Sequence, residues 1–233
     1  MLKVTDLQAG YGGSEVLHSL SLEVHDGEAV VLLAPNGHGK TTLLRTISGL
    51  VHPTAGTIEF DGQVISNLRA SDIVAAGVIH IPQGDLPFPE LTVMENLLMG
   101  AYKPEAWAQR KQRLEFVFTL FPVLGERTNQ LARTLSGGER RMLALGRGLM
   151  GQAKILLIDE PSLGLAPFLI ENVYRTIREI NQSGLSILLA DENADNIEGL
   201  ADRVYLMESG TVVKEGTAAE MLKSETLLAA YLG

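Results

Sequence analysis

The segment Ala34-Pro35-Asn36-Gly37-His38-Gly39-Lys40-Thr41-Thr42 constrains this chain more than any other. It stands between an apolar run, Val30-Val31-Leu32-Leu33, and a helical pattern at Leu43, Leu44 and Ile47. A strand, a small-residue loop and a helix therefore meet at one point. Successive backbone N–H groups of such a loop converge on a phosphate, and the helix N-terminus adds the positive end of its dipole. Asn36, Gly37, His38, Gly39 and Thr42 line this cradle, Lys40 is expected to reach the β- and γ-phosphates, and the Thr41 hydroxyl to sit on Mg²⁺. The segment reads as a nucleotide triphosphate site. The pattern usually opens on glycine; Ala34 is the smallest departure, with less freedom at positive φ. His38 occupies a position where many side chains fit, so its imidazole is expected to point outward rather than act in catalysis.

Composition narrows the class. With 233 residues, 45% of them hydrophobic, the chain has enough material for one large domain or two small lobes around a substantial core. There are 19 basic and 28 acidic side chains, a net charge of −9, which gives no electrostatic case for nucleic acid. Cysteine is absent, which rules out disulfides and thiol chemistry. No basic start followed by a long apolar segment marks a secretory leader, and no apolar run approaches the ~20 residues that span a bilayer. Any membrane role is expected to be peripheral.

Residues 1–33 read as β-rich. Leu20, Leu22 and Val24 alternate with Ser21 and Glu23, and Asp26-Gly27 marks a turn. Thr57-Ile58-Glu59-Phe60 and Val64-Ile65 flank Asp61-Gly62 as a hairpin. Val78-Ile79-His80-Ile81 is a short strand, and Pro82, Pro87 and Pro89 make the next segment a loop. From about 92 to 150 the pattern turns helical, with Leu114, Val117, Phe118 and Phe121 on one stripe of a helix over 105–120. This block reads as an insertion between two parts of one α/β core. Ile155-Leu156-Leu157-Ile158 is a buried strand, 167–181 a helix, Ser186-Ile187-Leu188-Leu189 a strand, and Ser209-Gly210 the turn of a terminal hairpin. Strands alternating with helices predict a mainly parallel sheet covered on both faces.

Two further motifs carry chemistry. Lys154-Ile155-Leu156-Leu157-Ile158-Asp159-Glu160-Pro161 ends an apolar strand in adjacent acids, which calls for a cationic partner. Beside a phosphate loop, Asp159 is suited to hold Mg²⁺ directly or through water, and Glu160 to orient or deprotonate the attacking water. Leu135-Ser136-Gly137-Gly138-Glu139 opens another helix. Ser136 and Glu139 fit a capping box, but that alone leaves the double glycine unexplained. Gly137 and Gly138 allow a phosphate or a backbone to come close, so Ser136 to Gly138 reads as a second anion-gripping helix start.

Taken in order, the phosphate loop, Ser136-Gly137-Gly138-Glu139 and the strand ending in Asp159-Glu160 resemble the nucleotide-binding domain of an ABC transporter. The resemblance covers essentially the whole chain, 1–233, as a single ABC ATPase domain. It implies a P-loop NTPase α/β fold: a mainly parallel core, an N-terminal antiparallel β subdomain, and the helical subdomain inserted at about 92–150. It implies an ATPase with ATP and Mg²⁺ as ligands. In the implied head-to-tail dimer, the phosphate loop of one copy and Ser136 to Gly138 of the other clamp one ATP. It further implies that Tyr11 stacks on adenine and that Gln83 contacts Mg²⁺ or the lytic water. The segment Pro161-Ser162-Leu163-Gly164-Leu165-Ala166-Pro167 and the segment Leu91-Thr92-Val93-Met94-Glu95-Asn96-Leu97 are similar to those of branched-chain amino-acid importer ATPases. So is the short length, with no regulatory domain after the last hairpin. The implied partners are a second ATP-binding subunit, like or unlike, transmembrane permease subunits and, indirectly, an extracytoplasmic solute-binding protein. The implied location is the cytoplasmic face of the cell membrane.

One position departs from the family. In Leu189-Ala190-Asp191-Glu192-Asn193, Glu192 stands where most members carry a switch histidine. An anion facing the γ-phosphate repels it unless protonated or bridged by metal, so Glu192 is expected to weaken hydrolysis at this site. Two alternatives stay open: a soluble ABC-type ATPase outside transport and, because of Glu192, a regulatory ATP-binding module with little turnover. A guanine-specific switch is disfavoured, because no Asn-Lys-x-Asp motif occurs.

Overall fold

The computed structural model describes residues 1–84 and 87–223. Two residues of the proline loop, 85 and 86, and the segment 224–233 lie outside the described residues. The first sheet is antiparallel. Its strands β1 (Leu2–Tyr11), β2 (Ser14–Val24), β4 (Pro53–Phe60) and β5 (Gln63–Val64) run in the order β2-β1-β4-β5. The second sheet holds β3 (Ala29–Leu33), β6 (Val78–Ile81), β7 (Ile155–Asp159), β8 (Ser186–Asp191), β9 (Arg203–Glu208) and β10 (Thr211–Thr217), ordered β10-β9-β3-β8-β7-β6. All neighbours are parallel except the terminal hairpin β9–β10.

Alternation along the parallel strands sorts their side chains into two cores. Val31, Leu33, Leu156, Ile158, Ile187, Leu189, Val204 and Leu206 face one core with the helices α7 (Gly137–Met150) and α8 (Pro167–Gln182). Val30, Leu32, Ile155, Leu157, Leu188 and Met207 face the other, with α1 (Lys40–Ile47) and the antiparallel sheet. Strands buried on both faces explain why these runs are apolar throughout rather than alternating. The second face is thus covered by a sheet as well as by a helix.

The helical block comprises α3 (Val93–Gly100), α4 (Pro104–Ala108), α5 (Arg110–Leu120), α6 (Pro122–Glu126) and α7. The helix predicted over 105–120 is two helices broken at Gln109. Val117 and Phe121 are buried, and Leu114 and Phe118 pack partly buried against the same core. A short helix that the pattern does not predict, α2 (Ala70–Ala76), precedes β6. Ile73 is its only buried residue, so it has no apolar stripe to read. The last described helix, α9 (Ala218–Leu222), follows β10. No helix among the described residues is long and apolar enough to cross a membrane.

Candidate functional site

The carboxyl ends of β3, β8, β7 and β6 lie side by side, because Leu33 pairs with Asp191, Asp159 with Ala190, and Ile81 with Ile158. Loops leaving these ends share one edge of the sheet, where open α/β sheets bind ligands. Two backbone bonds lock the loops together: Ala34 N–H donates to Asp191 O at 3.2 Å, and Glu160 N–H donates to Ala190 O at 2.9 Å. The phosphate loop, the Asp159-Glu160 strand end and the segments carrying Gln83 and Glu192 are therefore neighbours.

The phosphate loop enters α1 through Gly39 at φ 102°. A Cβ there would lie 2.8 Å from Met207 Cε and 3.1 Å from Leu17 Cδ2, so conformation and packing both require glycine. Ala34 is outside the left-handed region, so its departure from glycine costs no backbone strain. Its methyl is buried in the core shared by β3 and α1. No side chain caps α1 and no acid occupies its first turn. Its leading N–H groups thus point into a cavity of about 370 Å³ lined by Val16, Asn36, Gly37, Lys40, Thr41, Gln83 and Glu160, among others.

Lys40 and Glu160 are both buried and form an ion pair of 3.1 Å, Nζ to Oε1. The lysine also donates to Ala34 O at 2.7 Å and Pro35 O at 3.2 Å. The carboxylate's other oxygen accepts from Gln83 Nε2 at 2.7 Å. A buried pair survives desolvation only when its remaining valences are filled, and here they are. Glu160 adopts φ 42°, a left-handed conformation that costs a non-glycine residue on the order of 1 kcal/mol and concentrates at functional positions. Gln83, predicted from a loop, thus reaches the same carboxylate as the phosphate-loop lysine.

Asp159 is fully buried, and neither carboxylate oxygen has a hydrogen-bond partner among the described residues. Burial pushes its pKa up; nearby Thr41 and Lys40 pull the other way without satisfying the oxygens, and Glu160 adds to the rise. A buried, unpaired acid beside a Thr hydroxyl suits a hard cation bound mainly by oxygen. No cluster of three or more His, Asp or Glu among the described residues could hold a metal by itself. Such an ion would therefore depend on ligand phosphates as well, which is how Mg²⁺ is usually held.

Glu192 is exposed and accepts from Asn36 Nδ2 at 2.5 Å, so the residue at the switch position touches the phosphate loop directly. His38 is half-buried and does not line the cavity. Its Nδ1 accepts from Ser209 N–H at 3.0 Å, and its carbonyl accepts from Gly210 N–H at 3.1 Å, which ties the loop to the β9–β10 turn. Asp191, which the sequence reading passed over, is buried. Its Oδ1 accepts from the N–H groups of Glu192 at 2.7 Å and Asn193 at 3.0 Å. The available signal was an acid ending the apolar strand β8, the same signal that marked Asp159.

Tyr11 and the Ser136 corner do not line the cavity. Tyr11 is 46% exposed at the end of β1. Ser136 forms the expected capping box: its Oγ accepts from Glu139 N–H at 3.3 Å, and the Glu139 carboxylate accepts from Ser136 N–H at 2.8 Å. The two glycines are not equivalent. A Cβ on Gly138 would meet Leu169 Cδ1 of α8 at 2.8 Å, whereas on Gly137 nothing is nearer than 3.8 Å. A side chain at Gly138 would thus crowd α8, whereas among the described residues one at Gly137 has room.

Residues 17–163 match the family described as ABC transporter. Over 233 residues, all of both chains, the sequence is 40% identical to the high-affinity branched-chain amino acid transport ATP-binding protein BraG of Pseudomonas aeruginosa. It is 32% identical to the lipopolysaccharide export system ATP-binding protein LptB of Haemophilus influenzae, covering 100% of this chain and 97% of that protein. Among solved structures, the ADP conformation of an ATP-binding cassette of an ABC transporter superposes with a TM-score of 0.86 at 26% identity. That match covers 100% of this chain and 98% of the other.

Proposed function

This chain belongs to the ABC transporter family, as one of its ATP-binding, ATP-hydrolysing subunits, and from that premise we propose that it powers an importer of branched-chain amino acids or related small solutes. The greater, full-length identity to BraG than to the lipopolysaccharide exporter subunit supports import. The proposed partners are a second ATP-binding subunit, transmembrane permease subunits at the cytoplasmic face of the membrane and, through them, a solute-binding protein.

The observation that carries the site assignment is the buried, unpartnered Asp159 beside the Lys40–Glu160 pair at the wall of the cavity. In this reading the phosphates of ATP take the seat at the start of α1, held by loop N–H groups and by Lys40 as it leaves Glu160. Thr41 and Asp159 would hold Mg²⁺, whose charge would offset that developing on the phosphoryl oxygens. Glu160, released from Lys40 and steadied by Gln83, orients the attacking water and takes its proton. Tyr11 offers an aromatic face to adenine. Ser136 and Gly137 of a second subunit close over the ligand. Domain closure drives the permease only through the tighter binding of ATP to the closed state.

Glu192 stands next to Asn36 and holds a negative charge at the edge of the phosphate loop. Turnover is measured as phosphate release, with and without membranes containing the copurifying permease. ATP-dependent turnover that rises with the permease supports the reading; ATP binding without release in both conditions leaves a regulatory module instead. Glu192→His is expected to raise turnover several-fold; no gain would show that the glutamate does not limit the rate.

A further inference from the structure

Tyr174 lies on α8, outside every motif of the nucleotide site, yet its hydroxyl sits at the junction of two loops that frame it. The side chain is buried. The hydroxyl donates to Asp191 Oδ2, lies 3.4 Å from Ser162 Oγ, and accepts from Asn196 Nδ2 at 3.3 Å. Asp191 carries this connection further. Its other oxygen holds the N–H groups of Glu192 and Asn193, and its carbonyl holds the first residue of the phosphate loop, Ala34. Ser162 stands two residues after Glu160, in the loop that runs from β7 to α8. One phenol therefore joins the loop after the base, the loop carrying Glu192 and, through Asp191, the mouth of the phosphate loop.

A phenylalanine would fill the same volume and serve the core equally well. The hydroxyl adds a buried polar group, which is tolerated only because each of its valences has a partner. Burial and the Asp191 charge both push its pKa up, so it keeps its proton and remains a donor. Asp191 is in turn a buried carboxylate satisfied by two backbone N–H groups and this phenol. Fully satisfied buried networks fix one arrangement of the groups they join. Loops at sheet ends otherwise have several arrangements available, and catalysis in the proposed reading depends on holding Glu160 in register with the phosphate while the neighbouring loop keeps the Glu192 charge in one place.

We infer that Tyr174 is a positioning residue for ATP hydrolysis: its hydroxyl, through Asp191 and Ser162, couples the loop after Glu160 to the loop bearing Glu192, so that the two move as one unit. This rests on the assignment of the site to ATP hydrolysis. The test compares wild type with Tyr174→Phe, Ser162→Ala and the double variant. The readouts are phosphate-release kinetics and hydrogen exchange of residues 161–166 and 191–196. Tyr174→Phe is expected to lower kcat about tenfold while KM for ATP stays within about twofold, because the residue touches no ligand. Exchange is expected to quicken in both segments together. Ser162→Ala, which removes the longer contact, is expected to lower kcat about threefold. The double variant should match Tyr174→Phe alone, since Ser162 acts through the phenol. An unchanged kcat in Tyr174→Phe, below its melting temperature, would overturn the inference and leave the phenol a packing group. So would a kcat loss with Ser162→Ala neutral, losses that multiply in the double variant, or faster exchange in one segment only. Should Tyr174→Phe fail to fold, Ser162→Ala alone decides, by its kcat and by exchange at 191–196. Absence of turnover in wild type would count against the ATPase assignment itself, while the exchange experiment would still report whether the two segments are coupled.

Discussion

Two helix starts in this chain read alike in sequence and differ in structure. The start of α1 has no side-chain cap, no acid in its first turn, and open N–H groups facing a cavity. The start of α7 is closed on itself: Ser136 and Glu139 satisfy each other's backbone, and Glu139 also pairs with Arg127 at 3.2 Å. An anion meets free donors and a favourable dipole at α1. At α7 it meets two donors already in use, the N–H groups of Ser136 and Glu139, and a carboxylate within the first turn. The second corner expected from the double glycine is therefore partly capped from within the chain, with Ser136 Oγ engaged there as an acceptor. Within one chain the site has a prepared half; in the proposed dimer the other half acts when a second molecule supplies the phosphate.

The largest effect expected is on the prepared half. Glu160→Gln should lower turnover by at least about 100-fold while ATP binding persists, since the amide cannot accept the water's proton. Phosphate release and nucleotide binding measured on one preparation check this, and near-normal turnover would remove Glu160 from the role of base.

Asp159→Asn separates the metal role from stability. Burial raises the folded-state pKa of Asp159 above its ordinary 3.8. The native protein therefore binds more protons than the unfolded chain in the window that opens near pH 3.8, and stability falls as pH rises through it. The penalty is complete above the folded pKa and absent well below 3.8. Asn removes the charge. Without Mg²⁺ the variant should melt roughly 2–4 °C higher at neutral pH, with the gain vanishing near pH 3, while Mg²⁺-dependent ATP binding weakens about tenfold or more. Calorimetric scans at the two pH values test the sign; a lower melting temperature at neutral pH would contradict it.

Much of this comparison was legible in advance and part of it was not. The phosphate loop and the strand ending in Asp159-Glu160 are local patterns, and the parallel sheet brought them together as expected. Gln83 was placed by resemblance, and the structure adds its bond to Glu160. The long-range partners of Asp191 and His38 could not be read from neighbours in sequence: the Tyr174 bond and the Ser209 bond join residues on different elements. The break at Gln109 was hidden because apolar spacing continued across it. The contact of Gly138 with Leu169 on another helix likewise leaves no local mark in the sequence.

The smallest effects come from the α7 corner and divide the two glycines. Gly138→Ala crowds Leu169, so its gain in helix propensity is outweighed, and stability should fall by about 1 kcal/mol. Gly137→Ala has room and should leave stability equal or slightly higher. Its turnover should still fall several-fold if a second subunit's nucleotide packs there, with ATP affinity of the isolated chain unchanged. Equal behaviour of the two variants in melting and in turnover would erase the distinction drawn here.

The central claim is that the start of α1, with Lys40, binds ATP within one chain. Isothermal titration of the purified protein with ATP and Mg²⁺ tests it most directly, alongside Lys40→Ala. The account predicts saturable binding of one ATP per chain in wild type and a loss of at least about tenfold in affinity in the variant. Identical titrations for the two proteins, or no binding by either, would contradict it.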